Sequence, residues 1–332
     1  PPGSGGIGII RISGAESRNI LSAIFRCSRE NISRAQNNSF VAWQSHRLYL
    51  GHIIDPRENI LVDEVLAVVM RAPHSYTTED VVEIQSHSGY IVMNKILKLI
   101  LAYGARLAEP GEFTRRAFMN GRIDLTQAEA VVDIINARTG KSLEIAAEQL
   151  NGDLGAWINT IRDSILSVLA EIEADIDFSD DIDGSFMATQ WAAKLKTGVV
   201  DPLEQLIDAY EQNHYFREGI KMAIVGRPNV GKSSLLNRLT RKERAIVTEI
   251  PGTTRDTIEE MVNIQGLPVI VIDTAGLHDT TQKIEMRGIE RTHATIKAAD
   301  IVLLVIDLSQ GITPVDHDIF RQLGETKHII VM

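Results

Sequence analysis

One octapeptide constrains this chain more than anything else in its 332 residues: Gly226-Arg227-Pro228-Asn229-Val230-Gly231-Lys232-Ser233. It fits G-x-x-x-x-G-K-[ST], a loop that works only between a strand and a helix. The glycines let the backbone turn tightly and aim amide N–H groups inward, and the helix N-terminus adds its positive dipole end. Both flanks are present. Lys221–Val225 reads as a strand, and Ser234–Leu239 opens a helix. Lys232 is placed to reach the β and γ phosphates of a nucleoside triphosphate, with the amides of Asn229, Val230, Gly231 and Ser234 around them and the Ser233 hydroxyl on Mg²⁺. The structural alternative is a glycine-rich turn that holds no ligand.

Two downstream segments support the nucleotide reading. Asp273-Thr274-Ala275-Gly276 follows an apolar strand, Leu267–Asp273, where ligands sit in parallel sheets. Asp273 is suited to hold Mg²⁺ through water, and the Gly276 amide to sense a γ phosphate. Between this tetrapeptide and the loop lies Pro251-Gly252-Thr253-Thr254-Arg255-Asp256, where a threonine can close the magnesium shell. Ile301–Asp307 is a second continuous apolar strand and His328–Met332 begins a third. The expected fold of residues 218–332 is a doubly wound α/β nucleotide domain, incomplete at Met332. The set resembles GTPases of the class that includes Era-like proteins. Leu277 stands where Ras-like members carry a water-orienting glutamine, so another group or a cation must assist hydrolysis.

The rest of the chain has a different texture. Residues 1–120 mix short apolar runs with turns: Ile7–Ile12, Leu66–Met70 and Val81–Gln85 read as strands and Tyr90–Tyr103 as a helix ended by Gly104, an α+β pattern. Residues 121–217 read as a helical bundle. Apolar residues recur at helical spacing from Thr126 to Leu150, with Thr126 and Glu129 as a capping box, then over Leu154–Ile176 and Trp191–Phe216. Trp157 and Trp191 on these stretches are expected in the core. The net charge of −10 concentrates here: 7 Lys+Arg stand against 19 Asp+Glu in residues 122–218, while residues 219–332 balance. A broad phosphate-binding surface in the middle segment is therefore not expected. Asp175–Gly184 suggests an EF-hand, but registering Gly184 as the sixth loop residue puts Ser179 first and Gln190 twelfth, so an acidic solvated turn is the plainer reading. The histidines at 46, 52, 74 and 87 lack metal-ligand spacing. The single cysteine, Cys27, excludes an intramolecular disulfide framework and reads as a small buried side chain in a reducing compartment, the cytoplasm. No apolar run is long enough for a membrane span and no signal peptide stands at Pro1, where a native start is expected to be missing.

Pro1–Gly14 (PPGSGGIGIIRISG), Tyr76-Thr77-Thr78-Glu79-Asp80-Val81-Val82-Glu83, Pro110-Gly111-Glu112-Phe113-Thr114-Arg115-Arg116-Ala117-Phe118 and Asp124-Leu125-Thr126-Gln127-Ala128-Glu129-Ala130 occur in that order before the phosphate loop. Together these motifs resemble the tRNA-modification GTPase family MnmE, also called TrmE. The resemblance implies an N-terminal folate-binding domain that dimerises the protein and a helical domain into which the GTP-hydrolysing domain is inserted. It further implies an MnmG-type flavoprotein partner, a heterotetramer with it, and a tRNA whose wobble uridine receives a 5-carboxymethylaminomethyl-type group. The one-carbon donor would be 5-formyl- or 5,10-methylene-tetrahydrofolate.

Carried over residue by residue, the resemblance assigns Arg11, Glu83 and Arg122 to folate, with Arg122 where relatives have lysine. It assigns Asn229, Thr248, Ile250 and Thr253 to K⁺, Ser233 and Thr254 to Mg²⁺, and Glu285 to orientation of the attacking water. Lys232 joins Glu285 in the catalytic set. GTP contacts run through Thr248, Glu249, Ile250, Pro251, Gly252, Thr253 and Thr254 and through Asp273, Thr274, Ala275 and Gly276. A bound K⁺ would offset charge as an arginine finger does, with hydrolysis coupled to dimerisation of the nucleotide domains. Thr78 and Ser86-His87-Ser88-Gly89 depart from a more glycine-rich family pattern. Two other readings stay open: an Era-like, GTP-controlled ribosome-assembly or signalling switch whose first domain binds a partner protein, and a one-carbon transferase with a regulatory nucleotide domain.

Overall fold

A computed structural model describes residues 5–27, 43–177, 184–243, 260–272 and 295–332. The chain divides into two compact units, Pro1–Ala128 and Glu129–Met332.

The first unit is built on a five-stranded antiparallel sheet of order β1-β5-β4-β3-β2. Its strands are β1 (Ile7–Ser13), β2 (Phe25–Cys27), β3 (Leu48–Asp55), β4 (Ile60–Met70) and β5 (Val81–His87), with helices α1 (Ser17–Ile24), α2 (Tyr90–Ala102) and α3 (Glu112–Met119). Alternation places Ile10, Ile12, Val65, Ala67, Val69, Val82 and Ile84 in one core with Ile20, Leu21 and Ile24 of α1 and Ile96, Leu99 and Ile100 of α2. Arg11 and Glu83, out of phase with that set, belong to the other face. Cys27, expected to be buried, is only partly so, because β2 is an edge strand. Strand β4 begins six residues before the expected Leu66, since Asp63 and Glu64 interrupt the apolar pattern without interrupting the ladder to β3.

Polar residues hold α3 to this unit. The Glu112 carboxylate, 4% exposed, accepts from Arg106 Nη1 at 2.9 Å, from the Glu109 amide at 2.9 Å and from Arg116 Nη2 at 2.9 Å. Arg116 also donates to Glu79 at 2.9 Å, and Glu79 accepts from the Ser13 hydroxyl at 2.7 Å. The bond from Arg106 and that from the Glu109 amide hold Glu112 well below the ordinary carboxylate range.

Helix α4 (Leu125–Asn136) leads into the second unit, where α5 (Gly140–Leu150), α6 (Asp153–Asp177), α7 (Gly184–Leu195) and α8 (Asp201–Glu218) follow. The expected single helix from Thr126 to Leu150 is two, because Thr139 accepts from the Ser142 amide and starts α5 anew. The cap of α4 also differs from expectation. Asp124 Oδ1 accepts from the Gln127 amide at 2.8 Å while Gln127 Oε1 accepts from the Asp124 amide at 3.0 Å, so the reciprocal box is Asp124/Gln127, not Thr126/Glu129. The expected helix Trp191–Phe216 is α7 and α8 joined by a π-helical turn, Lys196–Val200. Trp157, expected in the core, is 48% exposed; helical spacing assigns a face, and no described element closes over that turn of α6. Residues 178–183 of the acidic segment weighed as a calcium loop lie outside the described residues.

The second sheet has order β10-β9-β6-β8-β7. Its strands are β6 (Ile220–Val225), β7 (Glu260–Ile264), β8 (Leu267–Ile272), β9 (Ile301–Val305) and β10 (His328–Val331), with α9 (Lys232–Glu243) and α10 (Pro314–Leu323). All neighbours are parallel except β7, which pairs with β8 as an antiparallel edge. Successive residues of β6 face opposite layers: Met222 and Ile224 pack with Leu236 of α9, Ala223 and Val225 with Leu323 of α10. A sheet buried on both faces accounts for the unbroken apolar runs that mark its strands.

Replacing Glu112 with glutamine should lower the melting temperature at neutral pH. The native carboxyl is depressed, so its stabilisation exists above the unfolded value of about 4.3 and is lost as pH falls through the native one. Thermal melts at neutral pH and near pH 3 should show the gap between variant and parent narrowing in acid.

Candidate functional site

The phosphate loop sits where the second sheet reverses direction. From β6 the chain reaches β8 on one side and later β9 on the other, so β6 ends at the switch point where such sheets bind ligands. Backbone conformation explains the glycines. Gly226 has φ +150°, and a Cβ there would overlap the Val305 carbonyl of β9. Gly231 has φ +101° with open space where a Cβ would stand, and Asn229 between them is left-handed at φ +64°.

Lys232, the first residue of α9, folds back into the loop. Its Nζ donates to the Gly226 carbonyl at 2.8 Å and the Arg227 carbonyl at 2.6 Å, and burial pushes its pKa down from the ordinary lysine value. An ammonium held by neutral carbonyls is suited to exchange them for phosphate oxygens. Ser233 and Ser234 follow in the first turn of α9, at its positive end. Val230, Leu235 and Leu239 pack against the core that buries Leu236, which anchors loop and helix together. The open cradle, the ammonium and the helix start fit a magnesium-bound triphosphate, and the Ser233 hydroxyl is a donor type that such a metal accepts.

Arg227 points out of the loop toward α10. Its Nε donates to Asp316 Oδ1 at 2.9 Å, and Asp316 Oδ2 accepts from the amide and hydroxyl of Thr313 at 2.9 and 2.8 Å. Burial alone would push the Asp316 carboxyl up; the bonds from Thr313 and Arg227 outweigh it and hold the group below the ordinary aspartate range. No motif marked this pair, because the second position of the loop admits any residue.

Thr248, Glu249, Ile250, Pro251, Gly252, Thr253, Thr254, Asp273, Thr274, Ala275, Gly276, Leu277 and Glu285 lie outside the described residues. Strand β8 ends at Ile272, paired with Ala223 two residues before the end of β6.

In the first unit, Arg11, Glu83 and Arg122 come together although 111 positions separate the outermost two. Arg11 and Glu83 are cross-strand partners on β1 and β5, and Arg11 Nε and Nη2 both reach Glu83 Oε1 at 2.6 Å. Arg122, just past α3, donates to the Tyr76 carbonyl at 2.9 Å, and its guanidinium lies 4.8 Å from the Tyr76 ring. The Arg11 guanidinium lies 5.8 Å from the same ring and 5.6 Å from that of Phe113. Tyr76 is thus the common neighbour of both arginines, which the sequence motifs did not single out. The partly buried Tyr76 hydroxyl is 3.0 Å from that of Thr114. Two residues on, Thr78 adopts φ +59°, a conformation that costs a β-branched residue energy and suits glycine. That backbone accounts for the glycine expected there from the family pattern; here the Thr78 hydroxyl donates to the Thr77 carbonyl at 2.6 Å. Among the described residues no group of acidic, histidine and cysteine side chains could hold a metal ion, and no helix is long and apolar enough to cross a membrane.

Residues 1–122 match the family model described as GTP-binding protein TrmE N-terminus, and residues 221–332 match that described as 50S ribosome-binding GTPase. The whole chain is 49% identical to a protein of Lactiplantibacillus plantarum named tRNA modification GTPase MnmE, covering 70% of that relative. Proteins of the same name from Levilactobacillus brevis and Streptococcus agalactiae are 46% and 47% identical, again over the whole chain and over 69% and 70% of their own lengths.

Substituting Gly226 with alanine should drive the loop off β9. We expect at least a tenfold loss of affinity for a fluorescent GDP analogue, measured by titration, from a displacement on the order of 1 Å.

Proposed function

The chain belongs to the MnmE family of tRNA modification GTPases and is a GTP hydrolase of tRNA modification, and on that premise we propose how its parts share the work. Residues 218–332 form the nucleotide domain, 121–217 a helical bundle and 1–120 a folate-binding and dimerising domain. Lys232 holds the β and γ phosphates of GTP, and the loop amides from Asn229 to Ser234 surround them. Ser233 and Thr254 hold Mg²⁺; Asn229, Thr248, Ile250 and Thr253 hold K⁺. The two cations, when bound, supply positive charge where negative charge develops on the phosphoryl oxygens. Glu285 orients the attacking water, the task that Leu277 leaves open. Thr248–Thr254 and Asp273–Gly276 close around the γ phosphate as two nucleotide domains meet.

The first unit takes 5-formyl- or 5,10-methylene-tetrahydrofolate. Glu83 accepts from the N–H edge of the pterin, and Arg11 and Arg122 meet its acidic tail. The observation that supports this reading is the gathering of Arg11, with its partner Glu83, and of Arg122 at one tyrosine ring. The protein works in the cytoplasm as a homodimer, in a heterotetramer with an MnmG-type flavoprotein. Together they build the 5-carboxymethylaminomethyl-type group of tRNA wobble uridine. Matches over both the first unit and the nucleotide domain favour this over the Era-like ribosome-assembly or signalling switch, which accounts for the nucleotide domain alone.

GTP turnover by the chain should be at least tenfold faster in K⁺ than in Na⁺, and Lys232→Ala should abolish it; equal slow rates in both salts would remove the cation role. In calorimetry, 5-formyl-tetrahydrofolate should bind the parent chain with micromolar affinity and bind Arg11→Ala at least tenfold more weakly, since a charge-assisted contact is worth about 1.5–3 kcal/mol. No heat at high micromolar ligand with the parent chain would sink the folate assignment.

A further inference from the structure

Arg227 sits in a loop whose next residues, Pro228 and Asn229, are exposed, yet its own side chain is 14% exposed and its partner Asp316 is 1% exposed. Charges removed this far from water persist only when paired and hydrogen-bonded. Asp316 divides its two oxygens. Oδ2 takes the amide and hydroxyl of Thr313 and closes the cap of α10, while Oδ1 takes Arg227. A capping box needs only the first of these, and glutamate or glutamine would serve. The second oxygen goes to the phosphate loop.

The guanidinium is also bracketed by the turn after β9. Its Nη1 reaches Gln310 Oε1 at 3.3 Å and its Nη2 the Gly311 carbonyl at 3.4 Å. Gln310 is itself held, because its Nε2 donates to Asp307 Oδ2 at 3.1 Å and Asp307 Oδ1 accepts from the Ser309 amide and hydroxyl. A string of hydrogen bonds therefore runs from Asp307, two residues past the end of β9, through Gln310 and Arg227, to Asp316 and Thr313. At the other end of the same residue, the Arg227 carbonyl accepts from Lys232 at 2.6 Å. Of the two carbonyls that hold Lys232, one belongs to Gly226, set by its approach to β9, and the other to Arg227, set by α10.

We propose that Arg227, through its buried pair with Asp316, is a positioning residue for GTP binding: it fastens the phosphate loop to the first turn of α10 and so fixes the carbonyl on which Lys232 rests. Neither side chain touches the nucleotide. The pair acts alike on ground state and transition state, because it places the cradle and not a reacting atom. Its loss raises KM and leaves kcat nearly unchanged.

The test is titration of the full chain with a fluorescent GDP analogue, beside GTP turnover and thermal melting. Arg227→Gln and Asp316→Asn should each weaken GDP binding by about tenfold, from a displacement smaller than the 1 Å that can cost a hundredfold. The double variant should be no weaker than the worse single one, the mark of a shared contact. Arg227→Lys, which keeps the charge without the fork, should recover part of the loss. Thr313→Ala weakens the α10 cap and spares the Arg227–Asp316 bond, so it should lower the melting temperature and leave GDP affinity unchanged. Unchanged affinity in Arg227→Gln, or equal loss in Thr313→Ala, would overturn the proposal. Should Arg227→Gln not fold, Arg227→Lys carries the test: affinity and melting temperature both equal to the parent's would overturn it. Loss of all GDP binding in the parent chain would instead indict the nucleotide site itself.

Discussion

The second unit depends on one close approach between two stretches of backbone. Gly226 lies against the carbonyl of Val305, a distance that no side chain at position 226 would permit. That contact draws the loop over the end of β9 and sets the direction in which its peptide groups point. The two carbonyls that bind Lys232 then follow from chain geometry, and the ammonium completes a closed loop before any phosphate arrives. The hydrophobic layers on either side hold the strands at the spacing the contact requires: Met222 and Ile224 toward α9, Ala223 and Val225 toward α10.

The first unit solves a different problem. Its antiparallel sheet buries one face under α1 and α2, so alternate residues on the other face are free to be charged. Arg11 and Glu83 occupy directly opposed positions there, where cross-strand neighbours interact most strongly. The buried carboxylate of Glu112 then ties α3 to the rest through Arg106 and Arg116, and α3 delivers Arg122 to the same place. Two ion-pair systems thus divide their work: one fixes a helix, and the other leaves a guanidinium exposed beside an aromatic ring.

Much of this was legible in the sequence where local rules and tertiary packing agree. The strand before the phosphate loop and the runs at Leu267 and Ile301 are continuous apolar strands buried on both faces, and the helix after the loop keeps one apolar face around Leu236. Legibility failed where a single side chain decides. Thr139 divides a stretch whose apolar spacing is continuous, and Asp124 takes the cap that Thr126 offers equally well on pattern alone. The edge strands β2 and β7 are short, three and five residues, and carry too little alternation to register. At the candidate sites, the motif residues Lys232, Arg11, Glu83 and Arg122 could be named in advance, but Tyr76 beside the two arginines and Asp316 beside Arg227 could not. Nothing local in the sequence says that a tyrosine will lie beside two distant arginines, or that an aspartate 89 positions away will hold the second residue of the loop.

The junction between α8 and β6 is a single residue, Gly219, at φ +83°. A Cβ there would stand 3.1 Å from the Pro268 carbonyl of β8, so the joint is seated against the sheet as well as short. One peptide unit gives about 3.8 Å of slack, too little for helix and strand to move as independent bodies. Any tilt of the sheet that carries the phosphate loop is therefore also a tilt of the 18-residue helix in front of it. The π-helical turn ahead of α8 sets the rotational phase of that lever, so adding or removing one residue there would swing it by about 100° about its own axis and turn a different side of it toward its neighbours.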